Sequence, residues 1–176
     1  QRAALAGGIA ALGESALAQS KSPNEKLNIA CIGVGGQGGS DLNSVSTENI
    51  VALCDVDFKY AANEFAKYPN AKQFKDYIEM LDTMDKEIDA VVIGTPDHTH
   101  AVIAMEAIRR GKHVYCEKPL THNIHEARTL IAAAHKSNVV TQLGNQGHSF
   151  DSIRQLCEWV WAGAVGEVHT VLAGCD

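Results

Sequence analysis

The sequence predicts an α/β protein built on a doubly wound parallel sheet, and three observations carry that expectation. Beyond Pro23, short β-rich runs alternate with longer stretches of helical periodicity, the order expected of βαβ units. The runs Ile29-Ala30-Cys31-Ile32 and Ala90-Val91-Val92-Ile93 are apolar without alternation, as central strands covered by helices on both faces must be. Turn chemistry falls where such units need it: Gly94-Thr95-Pro96 closes a strand and Gly111-Lys112 closes a helix.

Taken in order, the pattern places strands at 27–33, 50–55, 71–74, 90–94, 113–117 and 139–143, the third of them short. Helical periodicity fills the gaps at 38–45, 58–67, 76–84, 99–110, 122–137 and 149–162. After the turn Gly163-Ala164-Val165-Gly166, a further strand is expected over 168–172. Three segments follow: a leader or tail at 1–20, a nucleotide-binding domain at 21–150, and a linking helix with the start of a second domain at 151–176.

The chain has 176 residues, of which 45% are hydrophobic, enough for one substantial core. A net charge of −6 with scattered basic residues argues against nucleic-acid binding, which draws its affinity from clustered Lys and Arg. No apolar run reaches the roughly 20 residues needed to span a bilayer. Cys31, Cys54, Cys116, Cys157 and Cys175 show no paired metal or redox spacing, and the first three lie in expected strands. They read as small buried hydrophobes that stay reduced.

Residues 1–20 differ in character. Arg2, an Ala-, Gly- and Leu-rich run and Ala16-Leu17-Ala18 follow the order of a secretory signal, while the mild hydrophobicity and Glu14 suit a twin-arginine type better than a strongly apolar one. Only one arginine is present, and an artificial tail is the alternative. A genuine leader implies a periplasmic or exported protein; otherwise a cytoplasmic one is expected.

Gly33-Val34-Gly35-Gly36-Gln37-Gly38 is a GxGxxG turn between a buried strand and a helix. Gly33 ends the strand, Gly35 leaves the backbone bare for a pyrophosphate, and Gly38 lets the helix pack closely. The helix amides and dipole then face the phosphates, and no Gly-Lys-Ser/Thr of a P-loop is present. Asp55 ends the second strand about 20 residues on, where its carboxylate can accept both ribose hydroxyls of an adenosine. A Rossmann domain is therefore expected, with NAD favoured over NADP because a carboxylate repels a 2′-phosphate; Lys59 keeps NADP open, and Asp55 serving only a helix start is the plainer alternative.

Ligands of such sheets sit beyond the carboxyl ends of the strands. Three polar clusters occur there: Thr95-Pro96-Asp97-His98-Thr99-His100, Glu117-Lys118-Pro119, and Gln142-Leu143-Gly144-Asn145-Gln146-Gly147-His148. All three can border one nicotinamide pocket. No metal site is expected from His98 and His100, which lack a third ligand at a recognised spacing and have helix capping as their plainer role. His122 and His125 share a helix face with Glu126 and Arg128 and read as solvated.

Lys118 is the candidate catalytic residue. Pro119 restricts its backbone, and the Lys118-Pro119 bond is a candidate for the cis form. Beside a reacting hydroxyl, its ammonium can stabilise alkoxide charge or relay a proton, with Glu117 orienting it.

Together these residues resemble the Gfo/Idh/MocA oxidoreductases over about 27–168. The most specific element is Gly111-Lys112-His113-Val114-Tyr115-Cys116-Glu117-Lys118-Pro119-Leu120, similar to the family's GKHV-x-x-EKP signature. Thr95-Pro96 and Thr141-Gln142-Leu143-Gly144-Asn145-Gln146 are similar to stretches of its exported bacterial members. The resemblance implies that Lys118 contacts nicotinamide ribose and substrate, with Thr95, His98, His100, Glu117 and Asn145 lining the nicotinamide end. It also implies a second, mostly antiparallel domain carrying the substrate floor, which is expected to be largely missing from this sequence. An NAD-dependent dehydrogenase of a sugar or polyol is thus expected, homo-oligomeric at full length. An NAD-dependent glycosidase or lyase with transient oxidation and a non-catalytic NAD-binding module are the alternatives; relatives with the former chemistry often replace the lysine of EKP.

Overall fold

The computed structural model describes residues 26–174. Six strands form one sheet: β1 (Asn28–Ile32), β2 (Asn49–Cys54), β3 (Lys72–Phe74), β4 (Ala90–Ile93), β5 (His113–Glu117) and β6 (Thr141–Gly144). Their spatial order is β3-β2-β1-β4-β5-β6, and every pairing is parallel. The chain winds outward from β1 to β3, returns to β4 beside β1, and winds outward again to β6. This reversal opens a crevice at the carboxyl ends of β1 and β4.

The helices are α1 (Gln37–Ser44), α2 (Ala62–Lys67), α3 (Tyr77–Thr83), α4 (His100–Arg109), α5 (Ile124–Lys136) and α6 (Asp151–Trp161). Because successive strand residues point to opposite faces, the sheet divides the core in two. Ala30, Ile32, Val91, Ile93 and Cys116 meet Met80 and Leu81 of α3, Ile103 and Ala107 of α4 and Leu130 of α5. Ile29, Cys31, Leu53 and Val92 meet Leu42 of α1 and Phe65 of α2. Strands buried in both phases cannot alternate in polarity, which explains their continuous apolar runs.

The helix boundaries differ from the sequence expectation where a side chain captures the backbone. Asp57 Oδ1 accepts from the amides of Lys59 and Tyr60 at 3.0 and 2.9 Å, turning the chain so that α2 starts at Ala62 rather than 58. Asp76 caps α3 by accepting from Ile78 N at 2.7 Å, and Asn123 caps α5 by accepting from Glu126 N at 3.0 Å. Short 3₁₀ turns occupy Asp97–Thr99 and Gln146–Ser149, so α4 and α6 begin later than the periodicity implies. Residues 168–172, expected as a strand, form none: no described strand pairs with them, and an unpaired strand leaves its amides without partners. The leader at 1–20 lies outside the described residues. Among those described, no helix is long and apolar enough to cross a membrane.

The crevice depends on bare backbone. A Cβ at Gly38 would stand 1.7 Å from the carbonyl oxygen of Gly33 and 3.2 Å from that of Gly94. Gly33 itself has φ +74°, a left-handed conformation costly for residues with side chains. We predict that Gly38→Ala destabilises the domain by about 3 kcal/mol or more in urea denaturation, at the upper end for an overpacked site. Gly147→Ala, whose Cβ would meet nothing within 4 Å, stays within about 0.5 kcal/mol.

Candidate active site

A cleft of about 590 Å³ lies over the carboxyl ends of β1, β2 and β4. Of the residues singled out from sequence, Gly33, Gly35, Gly36, Gln37, Asp55, Thr95, Pro96 and His98 line it. Gly36 takes φ +54° as the chain enters α1, and no acidic side chain occupies the first turn of that helix. Its amides and dipole therefore offer positive potential with no carboxylate competing for it.

Asp55 organises this turn as well as facing the cleft. Its Oδ2 accepts from Val34 N at 2.9 Å and Gly35 N at 3.3 Å, and its Oδ1 from Asp57 N at 2.9 Å. Three amides use three of the roughly four acceptor positions of a carboxylate, so Oδ1 is the oxygen left open to a ribose hydroxyl. Both hydroxyls were expected at Asp55 from its spacing; the structure commits most of the carboxylate to the protein's own backbone. Val34 contributes through that amide alone, since its side chain is fully buried in the core.

His100 does not line the cleft. Its ring is 1% exposed, with Nδ1 at 2.6 Å from Pro119 O and Nε2 at 2.7 Å from Thr95 O. It bridges the turns that follow β4 and β5 instead of capping α4, whose first residue it is. His98, by contrast, is exposed at the cleft.

Glu117, Lys118 and Pro119 stand one strand further along the same sheet edge. The Lys118-Pro119 bond is cis. Glu117 is 3% exposed; its Oε1 accepts from Tyr115 Oη and its Oε2 from the backbone N–H of Lys118, both at 3.2 Å. Gly144, paired with Glu117 across β5 and β6, makes room for it, because a Cβ there would lie 2.5 Å from Oε1. The Lys118 side chain is exposed, as is Asn145 just past β6. Gln142 is not brought to the strand ends: it sits within β6, its amide donating to Leu143 O at 2.7 Å, beside a separate apolar cavity.

Sequence reasoning passed over several cleft residues. The Tyr60 ring covers the glycine turn so closely that a Cβ on Gly35 would stand 2.1 Å from Cε1. Lys75, with Nζ 5.3 Å from the Phe58 ring centre, and Tyr77 complete the adenosine side of the wall. Nothing in local spacing marks these three, because the cleft gathers them from separate loops. The only sequence signal was their position just after a strand end.

Burial holds the thiols of Cys31, Cys54 and Cys116 up to about 12, so they remain protonated and unreactive, as expected from their strand positions. Tyr115 is raised to about 12 by burial and by the neighbouring Glu117 carboxylate. Among the described residues no group of three or more His, Cys, Asp or Glu is arranged to hold a metal ion.

Comparison with known proteins agrees with this geometry. Residues 27–145 match the Gfo/Idh/MocA model, described as an oxidoreductase family with an NAD-binding Rossmann fold. Inositol 2-dehydrogenase of Salmonella paratyphi B is 29% identical over 147 residues, covering 80% of this chain and 43% of the relative. Myo-inositol 2-dehydrogenase of Thermotoga maritima is 26% identical over 148 residues, covering 82% and 44%. Among solved structures, GenD2 from gentamicin A biosynthesis in complex with NAD superposes with a TM-score of 0.72 at 27% identity, covering 86% of this chain and 44% of that one. Myo-inositol 2-dehydrogenase of Lactobacillus plantarum gives 0.69 at 28% identity, covering 82% and 43%. The chain thus spans less than half the length of these relatives. With its parallel sheet, its glycine turn under Asp55 and its Glu117-Lys118-Pro119 turn in one arrangement, the chain belongs to the Gfo/Idh/MocA oxidoreductase family, of which it carries the NAD-binding Rossmann domain.

Proposed function

We propose that the full-length protein is an NAD-dependent dehydrogenase that oxidises a hydroxyl group of a sugar or polyol. The observation that carries this is the placement of Asp55 and Lys118 on one sheet edge: the first reads the adenosine end of a dinucleotide, the second stands where its nicotinamide end would lie. Relatives acting on inositol support the polyol class.

The chain's own atoms fit NAD. Gly35 and Gly36 present bare backbone, the first turn of α1 carries no acid, and Asp55 Oδ1 keeps an open acceptor position. NAD, when bound, supplies the hydride acceptor. The remaining work falls to Lys118: its ammonium, hydrogen-bonded to the alcohol oxygen, holds the hydroxyl and stabilises the alkoxide charge that develops as the hydroxyl proton passes to a general base, a charge then consumed as the carbonyl forms. Glu117 fixes the Lys118 backbone, and His100 ties the lysine turn to the Thr95 turn.

The same proposal extends to location and assembly. The order of charge, apolar run and small residues in 1–20 supports a twin-arginine leader and a periplasmic protein. Such a protein would fold around its cofactor before export, so nucleotide should accompany it through purification from periplasm. The apolar residues Ile153, Leu156 and Trp159 of α6 are 42–53% exposed and support a face that a second domain or a second copy covers at full length.

Two outcomes are expected. In fluorescence titrations the protein binds NADH more tightly than NADPH, and Asp55→Ala weakens NADH by about tenfold or more while narrowing the preference, the size of one lost charged hydrogen bond. Absence of binding, or an unchanged preference in the variant, overturns the cofactor assignment. In the full-length protein, Lys118→Ala lowers polyol-dependent NADH formation by about a hundredfold or more while nucleotide affinity stays within a few-fold. Retained turnover removes Lys118 from the chemistry.

A further inference from the structure

Behind the lysine turn, on the α1 face of the sheet, two carboxyl groups meet without a cation between them. Asp41 of α1 is 7% exposed and Glu117 of β5 is 3% exposed, and their side chains lie within hydrogen-bonding reach of one another. Asp41 Oδ1 is satisfied by Gln37 Nε2 at 3.0 Å. Asp41 Oδ2 is fully buried and has no donor. A buried carboxylate oxygen without a donor, facing a second carboxylate, is costly as two anions; a proton turns the contact into a hydrogen bond.

The other groups around Asp41 cannot supply that positive charge. Tyr115 on β5 already gives its hydroxyl to Glu117, and Cys31 on β1 is a buried, protonated thiol. Gln37 belongs to the same helix and serves the other oxygen. A cavity of about 220 Å³ lined by Gln37, Asp41, Tyr115 and Gln146 adjoins the pair and offers water a route for proton exchange.

We propose that Asp41 and Glu117 hold a single proton between them, and that this proton seats the Glu117 carboxylate on the backbone N–H of Lys118. Asp41 is thereby a positioning residue for Lys118, a role that rests on the assignment of Lys118 to the substrate. The glycine-turn helix and the lysine turn are joined through that one hydrogen bond.

The sign of the pH effect follows from Asp41, which burial first, and then Glu117, raise from 3.8 to about 6, against the bond from Gln37. A carboxyl raised on folding binds its proton more tightly in the folded chain. Stability from this group is therefore full below about pH 4 and is lost as the pH rises through about 6. A carboxamide in its place would donate an N–H to Glu117 at every pH, so Asp41→Asn escapes the loss. Relative to wild type, the folded-to-unfolded ratio of the variant should rise by about ten- to a hundredfold between pH 4 and neutrality, because each pH unit between the unfolded and folded titrations is worth about a factor of ten.

The test uses nuclear magnetic resonance of the full-length protein labelled on side-chain carboxyl carbons and backbone amides, with thermal unfolding across the same pH range. The expected result is one carboxyl step near pH 6 and a Lys118 amide resonance that moves with the same midpoint. In Asp41→Asn both are absent, and in Glu117→Gln the Lys118 amide no longer titrates. Absence of a carboxyl step between about pH 5 and 7 in the wild type, or its persistence in Asp41→Asn, overturns the shared proton. A carboxyl step without the Lys118 response overturns the positioning role. None of these readouts needs turnover, so they stand apart from the Lys118→Ala assay, whose failure would instead remove the catalytic assignment.

Discussion

The close approach of three backbone segments, at Gly33, Gly38 and Gly94, is the constraint on which the rest of the domain depends. It occurs where the winding of the sheet reverses, so at this point the two halves of the fold come together backbone to backbone. A methyl group at Gly38 would push α1 off β1 and β4 and move the helix amides away from the crevice. The position of α1 in turn sets where Asp41 meets Glu117 and where Asp55 finds the amides of Val34 and Gly35. Phosphate-binding potential, ribose contact and lysine turn are thus referenced to a single packing contact.

The sheet and the cofactor cleft are largely legible in the sequence for a physical reason. Strands buried on both faces must be apolar throughout, and a turn that brings backbone to a ligand must be glycine, so both leave marks at adjacent positions. Asp55 is legible because strand length fixes its spacing from the turn. What escapes depends on contacts between distant residues. The polar side chain of His100 looks like a site residue, yet its ring is enclosed by the carbonyls of Thr95 and Pro119. Asp41 looks like an ordinary polar position on a short helix until β5 places Glu117 against it. Gln142 shares a polar run with Asn145 but lies inside β6, which continues to Gly144.

The signature around Lys118 divides into structure and chemistry on the same grounds. Lys112 is 7% exposed and donates to Asp85 O, with the Asp85 carboxylate 3.3 Å away, so it anchors the loop before β4. Tyr115 and Glu117 form the support behind the turn, and the Lys118 side chain is exposed. A motif read as one unit is, in three dimensions, a scaffold with a single reactive projection. The strand expected at 168–172 fails for the complementary reason: β propensity describes a residue's preference, while a strand also needs a neighbour.

The double duty of Asp55 limits how such a domain can be altered. The carboxylate that would discriminate between the two common nicotinamide dinucleotides is also the acceptor that holds the amides of Val34 and Gly35 in place. Exchanging it for a residue that welcomes an extra phosphate removes two hydrogen bonds from the phosphate turn in the same step. Redesign of cofactor choice in this domain therefore has to begin with new acceptors for those two amides, supplied from the loop that follows β2, before the discriminating residue itself is changed.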